Sequence, residues 1–106
     1  MAELSYEWFE TERGIKRDTL DDFGVYIEDG VAKFPMDGGF KCRRHDADGK
    51  RHFFAEGPIT GLFSGPTRDT GEAFLVEGET DALRLYQELG HDTEVFALPG
   101  INWWNE

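Results

Sequence analysis

Two short apolar runs separated by one amphipathic segment constrain the fold of this chain more than any other feature. Residues 73–76 and 94–98 have the length of strands, and the apolar composition of residues 73–76 is typical of a strand buried on both faces. The segment between them carries a helical stripe formed by Ala82, Leu85, Tyr86 and Leu89. We expect Thr80 to cap this helix and Gly90 to end it. The pattern predicts a β-α-β unit with parallel strands.

The first two thirds of the chain are predicted to form short helices followed by short strands. Two short helices are predicted, one capped by Ser5 and ended by Gly14, the other spanning Arg17 to Phe23. Short strands separated by turn residues follow, at residues 25–27, 31–35, 40–44 and 50–54. They predict a small antiparallel meander, whereas the Gly- and Pro-rich residues 57–72 are expected to form an irregular connection.

The predicted fold class is therefore α+β: short N-terminal helices, an antiparallel meander and a β-α-β unit. We divide the chain into residues 1–68 and residues 69–106 and expect them to form one compact unit. The length of 106 residues allows a modest core without disulfides, and the single cysteine, Cys42, is typical of a reducing compartment. No apolar run approaches the roughly 20 residues that span a bilayer. We therefore expect a cytoplasmic protein with no membrane partner.

Charge is distributed unevenly along the sequence. The net charge is -11, which by itself argues against nucleic acid as a partner. The residues before position 41 carry -6, residues 41–68 carry +3, and the remainder carries -8. A basic middle therefore lies between two acidic ends, and the total charge conceals it.

The basic middle supplies the candidate binding residues. They are Lys41, Arg43, Arg44, Lys50 and Arg51, all in the predicted hairpin. Strand alternation places Lys41 and Arg43 on one face and Arg44 on the other. The cluster predicts contacts to nucleotide or nucleic-acid phosphates, and the alternative is a solvated hairpin without a ligand.

The acidic C-terminal third contains a more specific motif. Residues 74–83, Phe-Leu-Val-Glu-Gly-Glu-Thr-Asp-Ala-Leu, resemble the opening motif of the Toprim domain, which primases, topoisomerases and some nucleases share. Residues 13–25, with Arg-Gly-Ile, Thr-Leu and Phe-Gly-Val, look like the entry to the RNA-polymerase domain of phage primase–helicases. The basic hairpin is similar to the basic subdomain of that family. The resemblance therefore covers nearly the whole chain in the order of the family.

The resemblance implies roles for two carboxylates. Glu77, at the end of the first strand of the β-α-β unit, would act as a general base or a Mg²⁺ ligand, and Asp81 would be a second Mg²⁺ ligand. The later Asp-x-Asp pair that completes the family's metal site does not follow in this sequence. We therefore expect Glu77 to be vestigial and the chain to be inactive as a polymerase by itself.

Two further features carry weaker predictions. Cys42, His45 and His52 have a spacing that suggests metal ligands, but three ligands without a fourth make a poor structural zinc site, so zinc is not expected. Trp103 and Trp104 would either dock on the core or mark a partner-binding end.

Two functions remain open at this point. The first is a primase-like, truncated Toprim protein of phage type that binds nucleotide or single-stranded DNA in DNA replication. The alternative is a non-enzymatic acidic phage inhibitor, of the anti-CRISPR or DNA-mimic type, that binds a basic host defence protein. A small Toprim nuclease ranks last because it requires the missing Asp-x-Asp pair.

Overall fold

The N-terminal helices begin and end where local sequence signals place them. A computed structural model describes residues 4–68 and 71–98. Helix α1 (Tyr6–Arg13) begins where the Ser5 hydroxyl accepts a hydrogen bond of 3.0 Å from the Trp8 N–H. Helix α2 (Arg17–Phe23) follows, and each helix ends at a glycine in the left-handed conformation. Both predicted helices are confirmed.

Four strands form the first sheet, an antiparallel meander in the order β1-β2-β3-β4. They are β1 (Tyr26–Glu28), β2 (Val31–Met36), β3 (Gly39–His45) and β4 (Arg51–Glu56). The β1–β2 turn is Asp29-Gly30, and both residues have positive φ, 52° and 76°. Such a two-residue turn matches the twist of the strands it joins. The meander predicted from the turn residues is therefore confirmed.

Gly38, in the turn between β2 and β3, allows two chain segments to approach closely. Its φ is +91°, and a Cβ at this position would overlap the carbonyl oxygen of Pro58. We expect Gly38→Ala to lower the free energy of unfolding by at least about 2 kcal/mol in urea denaturation. Gly90→Ala is the matched control, because Gly90 also has a positive φ, +79°, but an added Cβ meets no atom within 4 Å. An equal loss in both variants would contradict the close-approach explanation.

The second sheet contains the predicted β-α-β unit. The strands of this sheet are β5 (Phe63–Ser64), β6 (Ala73–Val76) and β7 (Glu94–Ala97). Helix α3 (Glu79–Glu88) connects β6 to β7 and completes the β-α-β unit. The strand order is β5-β7-β6, with β6 parallel to β7 and β5 antiparallel to it. The fold is thus α+β, and the parallel pair follows the apolar runs of the sequence.

Three local predictions in this region are wrong. Strand β6 is not buried on both faces: it lies at the edge of the sheet, with Phe74 and Leu75 exposed by 41% and 60%. The segment 57–72 is not wholly irregular, because it contains β5. Thr80 does not cap α3, since the helix already begins at Glu79, with Gly78 as its N-cap. Trp103 and Trp104 lie outside the described residues.

An aromatic core connects the two sheets. Phe34 of the first sheet lies 5.7 Å from the ring of Phe63 in the second sheet, and Phe63 stacks on Phe23 of α2 at 5.0 Å. Phe9 of α1 and Tyr86 of α3 extend this chain of rings at its two ends. Residues from both parts of the sequence therefore share one hydrophobic core. None of the helices in the described ranges has the length and apolar character required to cross a bilayer.

A polar cluster at the end of α3 was not expected from the sequence. His91, which follows the glycine after α3, is half-buried and stacks on Tyr86 at 4.8 Å. Its Nε2 lies 2.9 Å from the Thr19 hydroxyl, and the Tyr86 hydroxyl donates to Asp22 at 2.7 Å. Arg68 donates to the same Tyr86 oxygen. The cluster joins α2 to α3, and its contacts indicate a structural role.

Candidate anion-binding site

An open cleft of about 500 Å³ lies between α1 and the β3–β4 hairpin. Its lining residues are Trp8, Arg13, Arg43, His45, Gly49, Lys50 and Arg51. Four of these side chains are cationic, and none is a carboxylate. We call this feature the cationic cleft.

Strand alternation brings the cleft residues of the β3–β4 hairpin together. Arg43 is paired with Phe53, and His45 with Arg51, so these four side chains share one face of the first sheet. Arg44 is paired with His52 and lies on the opposite face. Arg43 and Arg44 therefore lie on opposite faces of the sheet, as predicted from the sequence.

Helix α1 supplies the wall of the cleft opposite the hairpin. The Trp8 ring meets His45 edge to face at 5.0 Å, and the Arg13 guanidinium lies 5.3 Å from the centre of the same ring. Ser5 fixes the start of α1, so it sets the position from which Trp8 and Arg13 reach the hairpin.

Arg43 forms the floor of the cleft and is only 4% exposed. Its Nε donates to Nε2 of His45 at 3.2 Å, and its guanidinium carbon lies 4.8 Å from the Trp8 ring centre. Among residues 4–68 and 71–98, no carboxylate forms an ion pair with it, although the charge of Glu79, which is paired with Lys41, attracts it from further away. Burial, followed by the charges of Arg13 and Arg51, lowers the pKa of Arg43 to about 10. The side chain therefore stays cationic at neutral pH.

Lys41 lies two residues before Arg43 on the same strand face, but its charge is engaged inside the protein. Its ammonium donates to both carboxylate oxygens of Glu79, at 3.0 and 2.9 Å. Both residues are buried, and burial raises the pKa of the Glu79 carboxyl against the opposing effect of Lys41. The contact joins β3 to the first turn of α3. Lys41 therefore has an internal ion-pair partner, and its contact with a ligand stays a prediction.

Glu79 is a residue that sequence reasoning missed. A signal was present, because Lys41 pairs with Phe34, a core residue, and so shares its face. A lysine on the core face of a strand requires a partner for its charge. Three carboxylates in residues 77–81 were candidates for that partner, and only packing identifies Glu79.

The predicted metal ligands Glu77 and Asp81 are both exposed. Asp81 lines a second cleft of about 420 Å³ together with Glu12, Arg13 and Thr80, so Arg13 contributes to both clefts. Within the described parts of the chain, no three His, Cys, Asp or Glu side chains come together as metal ligands would. The residues present there do not fit a complete Mg²⁺ site, which requires several oxygen ligands.

Cys42, His45 and His52 have separate environments. Strand alternation places Cys42 and His52 on one face of the first sheet and His45 on the other. Cys42 is fully buried, and burial raises the pKa of its thiol. His52 lies 3.0 Å from Asp46. The spacing of these three residues therefore does not produce a common site.

The cationic cleft thus combines a buried guanidinium, three further cations and aromatic surface. This arrangement can bind an anionic group. Comparison of the chain with protein-family models, curated proteins and solved structures gives no match.

Proposed function

We propose that this chain is a primase-like, phage-type module that binds nucleotide or single-stranded nucleic acid through the cationic cleft, without catalysis of its own. The observation that carries the proposal is Arg43, a buried cation that lines an open cleft and has no carboxylate ion-pair partner among the described residues. A buried charge is costly unless it is paired. The Glu79 carboxylate attracts Arg43 without forming an ion pair with it, so a phosphate in the cleft would be its first directly contacting counter-charge among the described residues.

Phosphate is the anion that the cleft chemistry suits best. The planar guanidinium of Arg43 matches phosphate oxygens through two parallel hydrogen bonds. Arg13, Lys50 and Arg51 surround the same space and would reinforce the attraction. Phe53, on the same face of the sheet, is 43% exposed and offers a ring on which an unpaired base can stack.

The Toprim resemblance is part of the proposal. Glu77 follows β6 and Asp81 lies in the first turn of α3, which are the positions where the family motif carries its carboxylates. The parallel β6–β7 pair around α3 is compatible with that ancestry. We infer that both carboxylates are retained from a Toprim ancestor and that Mg²⁺ would bind only with further ligands.

Arg51 and Arg44 provide a matched test of the proposed function. Arg51 lines the cleft, whereas Arg44 is exposed on the opposite face of the same hairpin. We expect Arg51→Gln to weaken binding of a single-stranded oligothymidylate by about three- to tenfold and to lower the salt slope by about 0.7, as the loss of one phosphate contact does. Fluorescence anisotropy at several salt concentrations measures both quantities.

Arg44→Gln makes the same change in net charge and should leave the affinity and the salt slope nearly unchanged. Equal losses in the two variants would show that binding follows net charge rather than the cleft. The absence of oligonucleotide or nucleotide binding by the wild-type protein at low salt would contradict the proposed function.

A second candidate function rests on the acidic surface. Acidic side chains of α1 and α2 are exposed, among them Glu7, Glu10, Asp18 and Asp21. Such a surface can present phosphate-like charge to a basic protein, as an anti-CRISPR or DNA mimic would. A stable, salt-sensitive complex with a purified basic host nuclease, combined with no nucleic-acid binding, would favour this candidate over the first.

A further inference from the structure

His45 holds the buried guanidinium of the cleft in place. Its Nε2 accepts the hydrogen bond of 3.2 Å from Nε of Arg43, so this nitrogen carries no proton and the neutral ring has its proton on Nδ1. The contact with Trp8 at 5.0 Å limits the orientation of the ring. Since Nε is engaged by His45, the terminal nitrogens of Arg43 remain as donors toward the cleft.

The charges around His45 oppose its protonation. Arg13 approaches from α1, Arg43 from the same strand and Arg51 from β4, while Asp46 is the acidic neighbour. Lys50 lines the same cleft from the hairpin loop. Burial first, and then the three arginines, lower the pKa of His45 below its ordinary value, and Asp46 opposes this only in part. Without an anion, the ring is therefore neutral at pH 7.

We propose that His45 is a proton-linked anion-binding residue, so that an anion entering the cationic cleft binds together with a proton on this ring. The inference rests on the proposed function, because it concerns the regulation of the same site. Protonation makes both ring nitrogens donors, and Nε of Arg43 must then leave Nε2. The N–H groups of Arg43 Nε and His45 Nε2 thereby both become available to a phosphate oxygen.

The sign of the effect follows from linkage. A bound anion offsets the repulsion from the cations around His45, so the pKa of the ring rises when the cleft is occupied. By reciprocity, a protonated ring raises the affinity for the anion by the same factor. Affinity should increase as pH falls through the interval between the bound and the free pKa of His45, and it should be constant outside that interval.

The experiment uses an oligothymidylate without terminal phosphates, because phosphodiesters do not titrate near neutral pH. We expect the affinity of the full chain to rise by about tenfold for each unit by which binding raises the pKa of His45. NMR titration of the imidazole C–H signals, with and without the oligonucleotide, should show the same upward shift. His45→Gln should bind with an affinity independent of pH between 5 and 8.

His52→Gln is the matched control, since His52 contacts Asp46 and does not line the cleft. This variant should keep the pH dependence of the wild type. Binding that does not change with pH, an unshifted His45 pKa, or pH dependence that persists in His45→Gln would overturn the inference and leave the proposed function intact. A lack of binding at every pH would instead contradict the proposed function, and the inference with it.

Discussion

Replacing Glu79 by alanine should lower the free energy of unfolding by about 3–5 kcal/mol. The variant leaves the Lys41 ammonium in a site where its side chain is 9% exposed, without the carboxylate that now accepts two hydrogen bonds from it. Desolvation of that charge is then no longer offset by the pair. Urea denaturation followed by circular dichroism measures the change, which is a large share of the stability of a domain of this size.

The reverse design separates the charge effect from packing. The double variant Lys41→Met with Glu79→Leu removes both charges and keeps apolar volume, so its stability should lie within about 1 kcal/mol of the wild type or above it. Glu79→Gln keeps the shape of the side chain, so its free energy of unfolding should lie between those of Glu79→Ala and the double variant. A loss below about 1 kcal/mol in Glu79→Ala would show that solvent reaches the pair and that it contributes little.

Replacing Arg43 by methionine should weaken oligonucleotide binding by about tenfold to a hundredfold, because a hydrogen bond to a charged group contributes about 1.5–3 kcal/mol. The same variant should unfold at an unchanged or higher free energy. Methionine places an apolar side chain where the guanidinium now lies over the Trp8 ring. It also removes a buried cation for which burial and the repulsion of Arg13 and Arg51 outweigh the attraction of Glu79. Opposite effects on binding and stability are expected of a residue retained for a ligand.

Arg43→Lys is the informative companion variant. It keeps the charge but loses the planar fork, so it should recover only part of the affinity. Anisotropy titrations and urea denaturation on the same preparations measure both properties. A large loss of stability in Arg43→Met, with binding unchanged, would show that Arg43 serves the fold rather than a ligand.

Local signals predicted the elements well where the deciding residues are close in sequence. Ser5 and Gly14 mark the start and the end of α1, and Asp29-Gly30 forms a turn between two of the predicted strands. The prediction failed for β6, whose apolar composition indicated burial on both faces. The described residues pair β6 with β7 alone, so Leu75 lies at an exposed sheet edge. Strand order is a non-local property, and composition does not report it.

The candidate site was predictable only in part, for the same reason. Alternation along β3 correctly separated Arg43 from Arg44. It could not distinguish Lys41 from Arg43, which share a face, although one is held by Glu79 and the other lines the cleft. That difference depends on α3 approaching β3 from a position 38 residues further along the chain.

The sequence by itself determined the ends of α1 and α2, the hairpins and the concentration of positive charge in one hairpin, because caps, turns and strand periodicity act over a few residues. Only the tertiary structure decided which of those charges are neutralised and which remain for a ligand. Packing α1 against the hairpin encloses Arg43 between Trp8 and His45, and packing α3 against β3 gives Lys41 its carboxylate. A side chain's charge is local, but its desolvation and its partners depend on every element packed around it.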